Sequence, residues 1–147
     1  MISVTKTFEW DMGHRVPNHK SLCKNPHGHR YRLEVVVSGP VINQKGSSQQ
    51  GMILDFDSLK GIVTKEVISK LDHSFMYWKE DKVIDAFAQL NSDLRMLRVP
   101  FIPTAECIVQ YIASQLSGII PNKIEGIKLK SLVLYETPTS KVLWESS

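Results

Sequence analysis

Apolar and polar residues alternate from the start of the chain. Ile2, Val4, Phe8, Trp10 and Met12 fall on even positions and His14 continues the series. A period of two predicts a strand over 2–14. The segment RVPNHKSLCKNP is dense in turn formers and reads as a loop. Alternation then resumes, with Tyr31, Leu33, Val35 and Val37 sharing a parity with His27 and His29, and stops at Ser38-Gly39-Pro40. Asn43 to Gly51 is polar and reads as an exposed hairpin loop. Leu59, Ile62, Val63, Val67 and Leu71 next form one stripe at helical spacing. They predict a helix over about 58–71 with Asp57 as its cap. Residues 74–102 are weaker in pattern: DKVIDAFAQLNSDL suggests a short helix and MLRVPF an extended piece. Pro103 and Thr104 start a second helix to about Leu116, with Ile108, Val109, Ile112 and Leu116 on one side and GIIPNK as its end. GIKLKSLVLYET and KVLWES predict two closing strands.

This order predicts an α+β fold. Strands adjacent in sequence pair as antiparallel hairpins, and two amphipathic helices cover one face of the sheet. The 147 residues suit one domain, 1–147, with a single core. Strands near both chain ends leave edges that need pairing, and oligomerisation is one way to supply it.

Composition narrows the function. The hydrophobic share is 42% and the charged share 22%, ordinary for a globular protein. No apolar run approaches the roughly 20 residues that span a bilayer, and the opening MISVTKTFEW lacks the regions of a signal peptide. The expectation is a cytoplasmic protein. Net charge is +3, and the basic residues are too scattered for a nucleic-acid groove. The excess suits attraction of a phosphorylated small molecule. Two cysteines give little basis for a disulfide framework. Cys107 sits in the apolar stripe of the second helix and reads as a small buried residue.

The stretch CKNPHGHRYRLEVVV gathers a thiol and two imidazoles immediately before a strand. His27 and His29 are two apart, so on a strand both point to one face. His14 ends the preceding strand on its apolar parity. Either these are surface or hydrogen-bonded histidines, or three imidazoles converge and leave a fourth position open, the pattern of a catalytic zinc site. Gly28 would then let substrate approach closely. Cys23, four residues before His27, is either a further ligand or a thiol activated by a nearby cation. His19 reads as solvated. Asp72 and His73 follow the first helix; a carboxylate can orient an imidazole, but adjacent side chains do not bond each other readily, and a helix terminus explains the pair as well. Glu106 belongs in a first helical turn, where negative charge is favourable. Glu136, at the end of an apolar strand, is less expected there. Its carboxylate could accept two parallel bonds from an amidine-like edge such as that of a 2-amino-4-oxopyrimidine.

Taken together, Cys-x-x-x-His-Gly-His, the earlier histidine in DMGHR, LDH, PTAE and ET, in this order, resemble the 6-pyruvoyl-tetrahydropterin synthase superfamily, and within it the bacterial 6-carboxy-tetrahydropterin synthase branch. The resemblance covers nearly the whole chain, GMILDFDSLK included. It implies the tunnelling fold: a four-stranded antiparallel sheet with two helices on one face, closed into barrels by trimers that stack as a homohexamer with sites between subunits. It implies zinc on His14, His27 and His29, catalytic roles for Cys23, Asp72 and His73, and a pterin anchored by Glu136, with Thr104 and Glu106 lining the pocket. The implied reaction converts 7,8-dihydroneopterin triphosphate to 6-carboxy-5,6,7,8-tetrahydropterin with loss of acetaldehyde and triphosphate, in queuosine and 7-deazapurine synthesis. Only Lys24, Asn25 and Pro26 separate Cys23 from His27; the pyruvoyl branch usually has a longer gap. A pyruvoyl synthase and a silent zinc- or pterin-binding module are the alternatives. Neither the loop 43–51 nor the segment 74–102 matches a functional motif.

Overall fold

The computed structural model describes all 147 residues. Strands β1 (Ile2–His14) and β2 (His27–Gly39) form a long antiparallel ladder from Ile2↔Gly39 to His14↔His27. Both agree with the alternation in the sequence. A helical turn at Leu22–Lys24 lies in the loop between them. Next come α1 (Phe56–Val63), β3 (Ser74–Trp78), α2 (Lys82–Leu90), β4 (Met96–Val99), α3 (Ala105–Lys123), β5 (Lys128–Thr137) and β6 (Ser140–Glu145).

The expected four antiparallel strands are present as β1-β2-β5-β6, but the sheet has six, in the order β4-β3-β1-β2-β5-β6. The additional pair comes from the segment of weak pattern. β3 joins the free edge of β1 in parallel register, and β4 joins β3 likewise. Each has five residues or fewer, too short for alternation to declare a strand. A third helix, α2, connects them. Its exposed Val83 and Phe87 leave only Ile84 buried.

Helices α1 and α3 cover one face of the sheet. Leu59 and Val63 of α1 and Ile108, Ile112, Leu116 and Ile120 of α3 share a core with Trp10, Leu33, Val35, Leu132 and Leu134. The buried positions Leu59, Val63, Val67 and Leu71 are four apart. In an α-helix each such step rotates the side chain by about 40°. A π turn at Thr64–Ile68, wider per turn, keeps the four on one side before Ser69–Leu71 closes the helix. The cap is Asp55, whose carboxylate accepts the Asp57 N–H at 2.8 Å, and not Asp57 itself. α3 runs seven residues beyond the expected end at Leu116 and includes Pro121. Proline there removes one helix hydrogen bond and crowds the Ser117 carbonyl, and the burial of Ile120 holds that turn against the sheet.

Candidate functional site

The β1–β2 ladder sets His14 directly opposite His27, with His29 one step along the same face. That face is the core side, so the end of the apolar stripe on each strand becomes a cluster of imidazoles. The three side chains bring ligand nitrogens within 4.8 Å of one another. Trp10 and Tyr31, stacked at 5.5 Å, lie behind the cluster, with the Tyr31 ring edge-on to His14 and His29.

The hydrogen bonds place one proton on each of two rings. His14 Nδ1 lies 2.7 Å from the Pro103 carbonyl and His27 Nδ1 lies 2.7 Å from the Asn25 carbonyl. A carbonyl only accepts, so each Nδ1 carries a proton, and each Nε2 is the nitrogen left to face a metal. Those two Nε2 atoms are 3.1 Å apart, a contact that a shared proton or a cation between them satisfies. Two nitrogens on a tetrahedral zinc ion stand about 3.3 Å apart. His29 Nε2 is buried with no hydrogen-bond partner. Burial lowers the basicity of His14, outweighing the Pro103 carbonyl and Glu136, which act the other way. Burial likewise lowers His29 against the pull of Glu136. Neutral imidazoles with nitrogen lone pairs converging are the donor set a divalent metal takes, and carbonyl-held Nδ1–H groups are the usual outer support of such ligands.

His14 is 1% exposed and forms the floor of a cavity of about 290 Å³. Cys23, Thr104, Glu106, Glu136 and Lys141 line the same cavity. The Cys23 thiol is not among the clustered ligand atoms. Its main chain is held by the Val16 N–H, 2.8 Å from the Cys23 carbonyl. Glu136 occupies a bulge in the β5–β6 ladder, where the register slips between Tyr135 and Thr137. Alternation with the buried Leu132 and Leu134 puts its carboxylate on the core side, 3.7 Å from His29 Nε2. Burial disfavours the charged form of His29 and so weakens that contact as an ion pair. Thr104 caps α3 by accepting the Cys107 N–H at 3.3 Å, which brings the first turn of the helix, with Glu106, to the cavity. Cys107 is half-buried, not buried as its place in the stripe suggests, and does not line the cavity.

Asp72 and His73 are placed elsewhere. Their side chains do bond each other, at 2.9 Å, against the expectation for adjacent residues. The reason is backbone: His73 has φ +59°, a left-handed conformation that folds its ring back toward Asp72. Main-chain ties to Asp11 hold this turn. The His73 N–H donates to the Asp11 carbonyl at 2.8 Å, and the Asp11 N–H donates to Asp72 Oδ1 at 3.1 Å. Although some desolvation acts the other way, the Asp11 N–H and His73 keep the Asp72 carboxyl below its ordinary range. The His73 side chain is 74% exposed and faces away from the core, over Gly13, Gly28, Asp11 and Arg30. Gly28 therefore opens the His73 side of the sheet, not the imidazole cluster. A Cβ there would meet the Met12 carbonyl at 3.1 Å.

The family model described as 6-pyruvoyl tetrahydropterin synthase matches residues 3–146. The chain belongs to that family. The chain is 35% identical over 144 residues to the 6-carboxy-5,6,7,8-tetrahydropterin synthase of Haemophilus influenzae, covering 95% of this chain and 96% of that one. Its fold is similar to that of an uncharacterised protein of Wolinella succinogenes, with a TM-score of 0.80 at 21% identity, covering 99% and 98% of the two chains. It is also similar to that of the 6-pyruvoyl tetrahydropterin synthase of Caenorhabditis elegans, with a TM-score of 0.67 at 21% identity, covering 99% and 96%. The family and its named relatives make the chain an enzyme acting on pterins. None of its helices is long and apolar enough to cross a membrane.

Two residues of the site region carried no signal in the sequence. Asp11 joins Asp72 and His73 from the middle of a strand. Arg15 follows His14 and forks onto Asp81, 66 positions away, at 2.5 and 2.7 Å. Neither partnership has a local motif.

Proposed function

We propose that this chain is a zinc-dependent 6-carboxy-5,6,7,8-tetrahydropterin synthase, a lyase of one domain, 1–147. It converts 7,8-dihydroneopterin triphosphate and one water to 6-carboxytetrahydropterin, acetaldehyde and triphosphate, and serves queuosine and 7-deazapurine synthesis in the cytoplasm. The observation that carries the reading is one cavity holding His14 of the imidazole cluster, the Cys23 thiol and the Glu136 carboxylate. The identity to named 6-carboxy-tetrahydropterin synthases over nearly the whole chain supports the branch, as does the short spacing from Cys23 to His27.

In this reading His14, His27 and His29 hold zinc, which supplies Lewis-acid polarisation of a substrate side-chain oxygen. Glu136 accepts the paired N–H donors of the pterin ring, with Thr104 and Glu106 along the wall. Cys23 takes a proton from the substrate side chain as general base. His73, oriented by Asp72, moves the opposing proton. Because His73 faces away from the cavity of its own chain, a site with both groups takes them from two subunits. This supports an oligomer with sites between subunits, which in this reading is a homohexamer of two trimers.

Incubating the zinc-loaded protein with dihydroneopterin triphosphate and identifying products by mass tests the reading. The expected product is 6-carboxytetrahydropterin with acetaldehyde. A 6-pyruvoyl product would move the assignment to the synthase for which the family model is named. Unchanged substrate with zinc and pterin both bound would make the chain a silent binding module.

A further inference from the structure

The loop that carries Cys23 has almost nothing apolar to hold it. From Asn18 to Pro26 every residue but Cys23 is exposed, and Leu22, its one large aliphatic residue, is 79% exposed. A segment without buried side chains takes its position from its few polar ties and opens at little cost when they are lost. Two ties bear on Cys23. One is the Val16 N–H to the Cys23 carbonyl, 2.8 Å. The other is Arg15 Nη1 to the carbonyl of the next residue, Lys24, 3.3 Å.

Arg15 is in turn held from the far side. Its Nε and Nη2 fork onto the two oxygens of Asp81, a carboxylate 4% exposed as a residue. The ion pair raises the already high basicity of the Arg15 guanidinium further. Asp81 is itself anchored. It caps α2 by accepting the Ile84 N–H at 3.3 Å. One turn on, Asp85 accepts from Tyr77 Oη of β3 at 3.1 Å and Arg98 Nε of β4 at 3.2 Å. The β3–α2–β4 unit, from the segment with no functional motif, is thereby a rigid buttress whose only buried acid grips the arginine beside His14.

We infer that Arg15 and Asp81 are positioning residues that set the Cys23 thiol in register with the imidazole cluster, making the β3–α2–β4 unit part of the catalytic apparatus. This rests on the reading of Cys23 as the reactive thiol. The planar guanidinium serves Asp81 with two donors while a third reaches the Lys24 carbonyl, and lysine, a point charge, cannot do both. A displacement of the thiol by an ångström is enough to cost rate without loss of binding.

The test uses the full-length zinc-loaded protein with Cys107→Ala, which leaves Cys23 as the only thiol. Arg15→Lys keeps the charge against the buried Asp81, and Asp81→Asn keeps an acceptor for the α2 cap; both are built. Zinc content, iodoacetamide alkylation rate, kcat and KM are measured well below the melting temperature. Both variants are expected to keep zinc and KM, to change the alkylation rate at least ~3-fold, and to lose at least ~10-fold in kcat. A folded variant with unchanged alkylation rate and kcat, whatever its melting temperature, would overturn the proposal. If Asp81→Asn does not fold, Arg15→Lys decides alone. Should the wild type not turn over the pterin triphosphate, a changed alkylation rate with full zinc still supports the positioning role, and only the substrate reading falls.

Discussion

His29 Nε2 shows how much a single atom can carry. It is buried and unpartnered, a state that costs about 1–3 kcal/mol unless something binds it. A metal ion removes the cost. His27→Ala or His29→Ala is expected to lose most bound zinc and all turnover while keeping the fold, and metal analysis of the purified variants checks this; full occupancy in both would end the three-histidine assignment. The thiol is separable from the metal, because Cys23 is not in the ligand cluster. Cys23→Ala should retain zinc and pterin affinity and lose at least ~100-fold in rate, the scale of a lost general base. Loss of zinc instead would make Cys23 a ligand. Recognition is separable again. Glu136→Gln can accept only one of two adjacent pterin donors and turns an N–H toward the other. Leaving that donor unpaired costs about 1–3 kcal/mol, so the dissociation constant for a pterin should rise about 10- to 100-fold with zinc unchanged. Fluorescence titration reads it directly, and equal affinities would shift the anchoring role to Glu106.

At the scale of elements, the caps distinguish a sequence pattern from what the chain does. Both Asp55 and Asp57 stand near the start of α1, and only the Asp55 carboxylate closes the first turn. Asp55→Ala should cost about 1 kcal/mol, a fall of about 3 °C in melting temperature for a chain of this size. Asp57→Ala should cost less. Thermal unfolding of the two variants side by side tests the assignment, and the reverse order would refute it. The same competition between local and tertiary terms explains the length of α3. Gly118 and Pro121 are poor helix residues, and the burial of Ile120 outweighs them.

At the scale of the whole molecule, the candidate groups lie on both faces of one sheet. The imidazole cluster, Cys23 and Glu136 occupy the core side at its end, and Asp72 and His73 the opposite side. If one site draws on both, it lies between copies. Two inactive variants, Cys23→Ala and His73→Ala, should then restore activity when unfolded and refolded together. With two subunits per site, roughly a quarter of the sites would regain both groups in a closed symmetric oligomer. Mixtures without activity at every ratio would place both groups in one subunit or dismiss one of them.

Local periodicity by itself determined the two long strands, the two core helices and the shared face of His27 and His29. A period of two fixes which face a side chain takes, so the candidate ligands were legible. Their convergence came with the β1–β2 register that sets His14 opposite His27. Tertiary structure alone decided the rest. β3 and β4 are too short to show a period and exist because the edge of β1 offers unpaired backbone groups. The left-handed turn at His73 depends on main-chain bonds to Asp11, 62 residues earlier. Arg15 and Asp81 meet only because the sheet brings α2 beside the end of β1. Each of these rests on a contact distant in sequence, and such a contact leaves no period for a linear reading to find.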